Sequence, residues 1–287
     1  MNPMQHNIHG AWGQPILLTS SSDKAPLSPT MIANIRSSIE SAGRTNRSGV
    51  LALASGDVAA ATASFGCALQ DLRNLSAFVL ERVADSGPTP DLHTQGGNLM
   101  SKAGPVLEAV SVPVFEDDYI YLYGNALDFL EDTQLHTSPG TTATGMTELE
   151  GEERRFAFQV SFYSAIVMFN LAICKHKRGL NFNDDASLFT AIHLYDMSMQ
   201  TISNIPITDY SDKLMLVMLA IWNNQSQIYW LLESYEHAKL ILEGVRRLAA
   251  RLLLEHRTSL DEDDQSHIFE FVLNVIIARV PTNAPCA

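Results

Sequence analysis

The chain has 287 residues, is 46% hydrophobic and carries a formal net charge of −13. That length allows one large or two ordinary domains, and the apolar content is enough for a core, which excludes a wholly disordered protein. The acidic balance disfavours non-specific binding to nucleic acid or to anionic membranes, since both need basic patches. A local basic cluster nevertheless exists at Arg246, Arg247 and Arg251.

The cysteines and the apolar segments indicate a reducing compartment. Cys67, Cys174 and Cys286 are too few and too scattered for a disulfide framework. The N-terminus lacks a basic start followed by an apolar run, and the longest apolar stretch, at 214–221, is too short to span a bilayer. We therefore expect a cytoplasmic or nuclear protein with no nucleic-acid partner and no membrane partner.

The first part of the chain changes from polar to helical. Residues 1–30 are rich in Ser, Pro, Asn and His, which predicts a flexible N-terminal segment with room for a short strand at Ile16–Thr19. From Met31 to about Arg82 the apolar residues recur at helical spacing. This pattern predicts a lead-in helix and then a helical hairpin that turns at Ser55-Gly56-Asp57.

Two linkers are predicted in the middle of the chain. Residues 86–90 and 137–144 are rich in Gly, Pro, Ser and Thr, the composition of loops. Ser28, Thr89 and Ser138 each precede a proline in a predicted linker or terminal segment. They are candidate phosphorylation sites, where a phosphate would add negative charge to a mobile segment.

Two strands are predicted between the linkers. Residues 110–114 and 118–124 are rich in β-branched and aromatic side chains. An isolated strand leaves its backbone groups unpaired. We therefore expect Tyr119–Tyr123 to pair with Ile16–Thr19 and to attach the N-terminal segment to the helical body.

Helical patterning resumes at about Glu150 and continues nearly to the end of the chain. The predicted helices span 156–177, 186–202, 212–232, 235–256 and 265–279. Val280-Pro281 ends the last one, because proline lacks the backbone donor that a helix needs. The sequence thus predicts a mainly α fold, with one helical domain at 31–279, a linker and β insertion at about 85–145, and a flexible tail at 280–287.

Three phrases repeat a spacing of small and aromatic residues that lets the second helix of a hairpin pack closely on the first. The first phrase consists of Gly49, Gly56, Ala61, Phe65 and Ala68. The second consists of Leu171-Ala172, a turn at Gly179, an insertion at 180–187, and then Ala191, Tyr195 and Ser198. The third consists of Trp222, Tyr229, Tyr235, Ala238 and Leu242.

These phrases resemble the tetratricopeptide repeat, a helical hairpin with the pattern W-x2-L-G-x2-Y…A-x3-F…P. Their order is also similar to that of a group of tetratricopeptide-like proteins from diatoms. The resemblance implies helical hairpins stacked into a right-handed solenoid. No phrase ends in the expected proline, and a long interval separates the first from the second. The alternative is an irregular helical bundle with ordinary alanine and aromatic packing.

No catalytic residue, metal site or cofactor is predicted. The chain lacks the glycine-rich phosphate loops and the nucleophile-elbow motif. Cys174, His176 and His193 lack the second ligand pair of a zinc site, and Cys174 falls on an apolar helical face. The acidic run at 261–264 lacks the mid-loop glycine of a calcium loop and precedes a helix, where carboxylates are favourable.

The resemblance implies that a ligand contacts the concave face of the first helices of the hairpins. Carried onto this sequence, that face holds the predicted binding residues Asn46, His176, Asn223, Gln227 and Trp230. Its mixed polar and apolar character suits a short peptide. The alternative is a groove that is filled by the strands or linkers of the chain itself, with neighbours such as Phe169 and Ile173 in the core.

The predicted function is that of a non-enzymatic protein-interaction scaffold or adaptor, which binds a protein or peptide partner in a helical groove. One subset of the family grips a C-terminal carboxylate with a lysine and an asparagine; here Asn46 and Val50 occupy those places, which disfavours that activity. Two other functions remain open: an enzyme with an unrecognised helical active site, and a purely structural subunit. The oligomeric state has no sequence signal.

Overall fold

The structure of the protein is a computed structural model that describes residues 27–84, 107–110, 122–124, 126–129, 148–205, 212–255 and 262–277. Within these residues the chain forms seven α-helices and two short β-strands. The prediction of a mainly helical fold is therefore confirmed. Most of the predicted N-terminal segment and the tail at 280–287 lie outside the described residues, although the first helix already begins at Pro29.

The first two helices form a hairpin. Helix α1 spans Pro29–Ala54 and α2 spans Val58–Ala84, so the predicted lead-in helix and the first helix of the hairpin are one continuous helix. Gly56 lies between them with a φ of 85°, a left-handed conformation that glycine adopts without a Cβ clash. The predicted turn at 55–57 is confirmed.

The predicted small-large-small ladder lies where α1 and α2 touch. A Cβ atom on Gly49 of α1 would lie 2.6 Å from Cε1 of Phe65 on α2, so only glycine allows the ring this close. Ala61, Phe65 and Ala68 are fully buried. The aromatic ring of one helix therefore fills the space that the missing side chain of the other leaves open.

Ser28 is the N-cap of α1. Its hydroxyl accepts a hydrogen bond from the amide of Met31 at 3.2 Å, and Pro29 occupies the first turn, where a missing amide proton costs nothing. Of the three phosphorylation candidates, Ser28 therefore has an observed structural role, as the cap of α1. Thr89 and Ser138 lie outside the described residues.

The two strands form a small antiparallel pair. Strand β1 spans Leu107–Val110 and β2 spans Ala126–Phe129, with Leu107 opposite Phe129 and Val110 opposite Ala126. Strand β1 overlaps the predicted segment at 110–114 at Val110, and the rest of that segment lies outside the described residues. Of the predicted segment at 118–124, residues 122–124 are described and are not part of a strand. The predicted partner Ile16–Thr19 and most of Tyr119–Tyr123 lie outside the described residues.

The next hairpin corrects one prediction. Helix α3 spans Glu148–Phe182 and α4 spans Asp185–Ser203, so the predicted turn at Gly179 and the insertion at 180–187 are wrong. The chain turns instead at Asn183, which has a φ of 49°, and the side chain of Asp184 caps α4. Gly179 lies inside α3, where a Cβ would lie 2.5 Å from Cδ2 of Leu188. Its role is therefore close packing, not chain reversal.

The remaining helices follow the predicted order. Helix α5 spans Asp212–Leu231, α6 spans Tyr235–Glu255 and α7 spans Glu262–Ile277. Ala238 is fully buried, as the third repeat phrase predicts, and a Cβ added to Gly244 of α6 would lie 3.5 Å from the Trp222 ring of α5, an ordinary contact distance. These contacts make α5 and α6 a third closely packed pair.

Each helix packs chiefly on a helix that is adjacent to it along the chain. Helices α1, α3, α5 and α7 also contact one another in that order, and β2 contacts α1 and α3. Tyr123, Ala126 and Leu127 belong to the same hydrophobic core as the helices. The chain around β2 therefore packs against the helical core on the side where the odd-numbered helices lie.

Helix α3 is the central element of the fold. It contacts α1, α2, α4, α5 and β2. By length and composition alone, Arg155–Phe182 could cross a membrane, but most of its apolar stretch is buried inside the protein. The same length and composition occur in the core helices of soluble proteins.

Candidate functional site

A stretch of the chain that includes strand β2 lies across α1, α3 and α5. It comprises residues 122–124 and 126–129, and we call it the occupant segment; the surface of the odd-numbered helices that it contacts is called the groove. The side chains of Leu122, Tyr123, Ala126, Leu127 and Asp128 are all at least nine-tenths buried. The structure therefore displays the alternative in which the chain itself fills the groove.

Asn170 of α3 binds the backbone of Leu127 at both of its polar groups. Its Oδ1 accepts from the Leu127 amide at 2.8 Å, and its Nδ2 donates to the Leu127 carbonyl at 2.8 Å. Nδ2 also donates to Oδ1 of Asn46 on α1 at 3.0 Å. A fully buried amide therefore has its acceptor and both of its donors satisfied.

Asn224 of α5 repeats this arrangement at another residue of the segment. Its Oδ1 accepts from the amide of Tyr123 at 2.8 Å, and its Nδ2 donates to the carbonyl of Tyr123 at 3.0 Å. Nδ2 also donates to the hydroxyl of Tyr195 on α4 at 3.0 Å. Burial raises the pKa of Tyr195 far above its usual range, so this hydroxyl stays neutral.

Asn46 of α1 completes the set of three asparagines. Its Nδ2 donates to the carbonyl of Leu127 at 3.1 Å and to Oδ1 of Asp128 at 3.5 Å. The Asp128 carboxylate is also 3.6 Å from Nε of Arg47, whose side chain is half exposed. A buried carboxylate needs such partners, because desolvation without them is costly.

The asparagine side chains copy the hydrogen bonding of a neighbouring strand. A primary amide offers one acceptor and two donors in a plane, which matches the amide proton and carbonyl of one extended residue. β1 pairs with β2 along one edge, while Asn46, Asn170 and Asn224 bind backbone groups that face the helices. The helices therefore bind the backbone of the segment through uncharged amide side chains.

The ring of Tyr123 lies among aromatic side chains of α3 and α7. Its centroid is 5.0 Å from that of Phe271, 5.3 Å from that of His267 in an edge-on arrangement, and 6.5 Å from that of Phe169. These separations are typical of stabilising aromatic pairs. Phe169 and Ile173 are themselves fully buried core residues.

His176, a predicted groove residue, lies inside the core. It is fully buried, and neither ring nitrogen has a hydrogen-bond partner within the described part of the chain. Its ring is 6.2 Å from that of Tyr195, centroid to centroid. Burial lowers the pKa of His176 to about 3, so the imidazole is neutral near pH 7.

The other predicted residues occupy different parts of α5. Asn223 is fully buried, accepts from Nδ2 of Asn274 on α7 at 2.6 Å and donates to Oδ1 of Asn224 at 3.3 Å. Gln227 is half-buried, and its Oε1 has no donor among the described residues. The structure thus brings Asn46 to the occupant segment, and Asn223 to the asparagine that binds it.

Trp230 lies at the end of α5, next to the turn into α6. Its half-buried indole is 5.2 Å from the ring of Tyr235, in an edge-on arrangement. Within the described residues its ring contact is therefore with the α5–α6 turn rather than with the occupant segment.

The described residues contain no group of three or more His, Cys, Asp or Glu side chains placed to hold a metal ion. Cys174 is buried, and burial raises the pKa of its thiol to about 11. The basic cluster on α6 is paired with acids: Arg246 and Arg247 both bind Glu243, and their hydrogen bonds lower the pKa of Glu243 to about 2. Arg251 pairs with Glu255 in the same way.

The sequence reasoning missed Asn170, Asn224 and the occupant segment. A usable signal existed, because Asn170 immediately precedes Leu171 of the second repeat phrase, and Asn224 stands two residues after Trp222 of the third. In the tetratricopeptide pattern these are the same position. Asparagine is a poor helix former, so its recurrence at one position inside apolar helices indicates a buried amide with a fixed partner.

Comparison with protein-family models, with curated proteins and with solved structures finds no match. The function is therefore argued from the geometry of the groove.

Proposed function

We propose that the protein is a non-enzymatic interaction scaffold of the cytoplasm or nucleus, whose groove binds an extended segment of a partner protein. In this proposal α1–α2, α3–α4 and α5–α6 are three tetratricopeptide-like hairpins of a right-handed solenoid, and α7 follows them. Two observations support that arrangement: helices pack on their sequence neighbours, and the odd-numbered helices contact one another in order.

The observation that carries the proposal is the pair of bidentate amide contacts. Asn170 and Asn224 each bind the amide proton and carbonyl of one residue of the occupant segment, Leu127 in strand β2 and Tyr123 three residues before that strand. Such contacts belong to the backbone, which every protein segment shares. The floor of the groove is uncharged, whereas catalysis of proton or group transfer generally needs ionisable groups with adjusted pKa values. An uncharged backbone-binding floor favours a binding function over an enzymatic one.

The occupant segment is a tethered competitor for that floor. A segment joined to the groove through linkers has an effective concentration on the order of millimolar. A partner segment consequently displaces the occupant segment when the product of its affinity and its local concentration exceeds that of the occupant segment. The same contacts that close the groove thus define what the groove can hold.

The test cuts the covalent connections of the occupant segment after the full-length chain has folded around it. One protease recognition sequence is inserted between Gly96 and Gly97 and a second between Pro139 and Gly140, both in glycine- or proline-rich sequence, and the folded full-length protein is then cut. A fluorescent synthetic peptide of residues 105–131, the strand peptide, is added, and its exchange with the cut fragment is followed by anisotropy. We expect saturable binding that unlabelled peptide competes away.

The matched variants are Asn170→Ala in the groove and Asn74→Ala on the exposed face of α2. Asn170→Ala should weaken binding of the strand peptide at least about tenfold, equivalent to about 1.4 kcal/mol, and Asn74→Ala should leave it unchanged. If the cut fragment never exchanges, the segment is a permanent part of the fold; if both variants bind the strand peptide alike, the Asn170 contacts do not hold it and the amide floor is not a binding surface. The purely structural function would then replace the scaffold.

A further inference from the structure

The side chains of the occupant segment contact the groove as specifically as its backbone does. Tyr123 is only 7% exposed and its ring contacts Phe271 and His267 of α7. Phe169 of α3 lies next to it, so helices from two different parts of the chain form one aromatic pocket. Buried aromatic side chains contribute most strongly to recognition in well-packed pockets.

The positions of Ala126 and Leu127 allow a narrower choice of side chain. Ala126 is fully buried and Leu127 is 5% exposed, and both belong to the main hydrophobic core. A larger side chain in place of Ala126 would have to displace close-packed neighbours. The groove therefore requires a small residue followed by an aliphatic one at these two places.

The position of Asp128 favours a negatively charged side chain. Asp128 is 3% exposed, yet its carboxylate accepts from Asn46 at 3.5 Å and lies 3.6 Å from Nε of Arg47. Arg47 stands at the rim, with 54% of its side chain exposed. A carboxylate here satisfies both groups, whereas an apolar residue would leave a buried amide donor without that acceptor.

We propose that the partner segment carries the same order of side chains as the occupant segment. That order is an aromatic residue, a small residue three positions later, then an aliphatic residue and an acid; the four places are those of Tyr123, Ala126, Leu127 and Asp128. This inference rests on the proposed function and adds the partner's chemistry to it. The amide floor binds any extended backbone, and the aromatic pocket and Arg47 select among sequences.

The test uses the cut protein and variants of the strand peptide. Tyr123→Ala, Ala126→Leu and Asp128→Asn peptides are compared with the unchanged peptide, and with one in which residues 123–128 are scrambled at constant composition. We expect each substitution to weaken binding at least about fivefold and the scrambled peptide to bind at least about thirtyfold more weakly.

The Arg47 contact has its own control. The unchanged peptide should bind more tightly than the Asp128→Asn peptide to the unaltered protein. In Arg47→Met protein this difference in affinity should be smaller, because the ion pair is already absent. Arg251→Met provides the matched loss of charge, since Arg251 is paired with Glu255 on α6. It should leave the difference between the two peptides intact.

The outcomes separate this inference from the proposed function. If scrambled and unchanged peptides bind equally while Asn170→Ala weakens both, the groove recognises backbone alone; the inference fails and the scaffold remains. If the affinities of the unchanged peptide and the Asp128→Asn peptide differ as much in Arg47→Met protein as in the unaltered protein, Arg47 does not select an acidic residue in the partner. If no peptide binds, both proposals are overturned.

Discussion

Replacing Asn170 with alanine should be one of the most destabilising changes on the floor of the groove. The side chain makes three hydrogen bonds, to the amide and the carbonyl of Leu127 and to Oδ1 of Asn46. All of these groups are buried, so water cannot replace the lost partner without opening the core. The change Asn170→Ala therefore tests whether the amide holds the occupant segment in place.

The magnitude follows from the groups left unpaired. The carbonyl of Leu127 keeps a donor, because Nδ2 of Asn46 lies 3.1 Å from it. The amide of Leu127 and Oδ1 of Asn46 lose the partner that Asn170 provides. At roughly 1–3 kcal/mol for each of these two unsatisfied buried groups, the free energy of unfolding should fall by about 2–6 kcal/mol. The change Asn46→Ala should cost less, about 1–3 kcal/mol, because Asn170 still binds the Leu127 carbonyl.

The assay is guanidinium denaturation at pH 7 with linear extrapolation, together with amide hydrogen exchange at Leu127. Asn74→Ala is the matched control: Asn74 lies on the exposed face of α2 and contacts Gln70. Both changes alter intrinsic helix propensity equally, so the difference between them isolates the buried hydrogen bonds. The Leu127 amide should exchange faster in Asn170→Ala and at an unchanged rate in the control.

The reasoning is refuted if Asn170→Ala and Asn74→Ala have the same midpoint and the same exchange rate at Leu127. Equal midpoints with faster exchange would mean that the segment opens locally at little cost to the helices. That result would contradict the expected loss of stability, and it would support an occupant segment that leaves its place readily.

Three further changes test the packing, the cap and the buried histidine. Gly49→Ala should lower the free energy of unfolding by roughly 1–3 kcal/mol, since the new Cβ would lie 2.6 Å from the Phe65 ring, whereas Gly66→Ala, with nothing within 4 Å, should stabilise α2 by up to about 1 kcal/mol; equal denaturation midpoints would contradict this. Ser28→Ala removes the acceptor of the Met31 amide and should cost about 1 kcal/mol, measured by the same denaturation; an unchanged midpoint would refute the capping role. Burial lowers the pKa of His176 to about 3 in the folded protein, against 6.5 in the unfolded chain. The unfolded chain therefore binds a proton that the folded protein does not, and the free energy of unfolding falls as pH drops from about 6.5 towards 3, by up to about 1.4 kcal/mol per pH unit. His176→Met should flatten that part of the curve of stability against pH, and parallel curves for the two proteins would refute this reasoning.

Much of the helical fold follows from local patterns. The turn at Gly56, the burial of Ala61 and Phe65, and the bounds of α4, α5 and α6 agree with what helical spacing, glycine and proline predict. These features depend on residues three or four positions apart, which the sequence displays directly. Gly179 is a position where local sequence is not sufficient. Glycine suits both a turn and a close helix contact, and only the packing of Leu188 against it shows that the second role applies.

Local patterns in the sequence thus predict the class of the fold, the pairing of neighbouring helices and the small residues at their contacts. They do not predict what fills the groove, because the hydrogen bonds that hold the occupant segment join residues that are distant along the chain. Asn170 meets Leu127 across 43 positions, and Asn224 meets Tyr123 across 101. Asparagine has no fixed partner in sequence: it can cap, face solvent or bind backbone, and the choice depends on which polar group the completed core brings within reach.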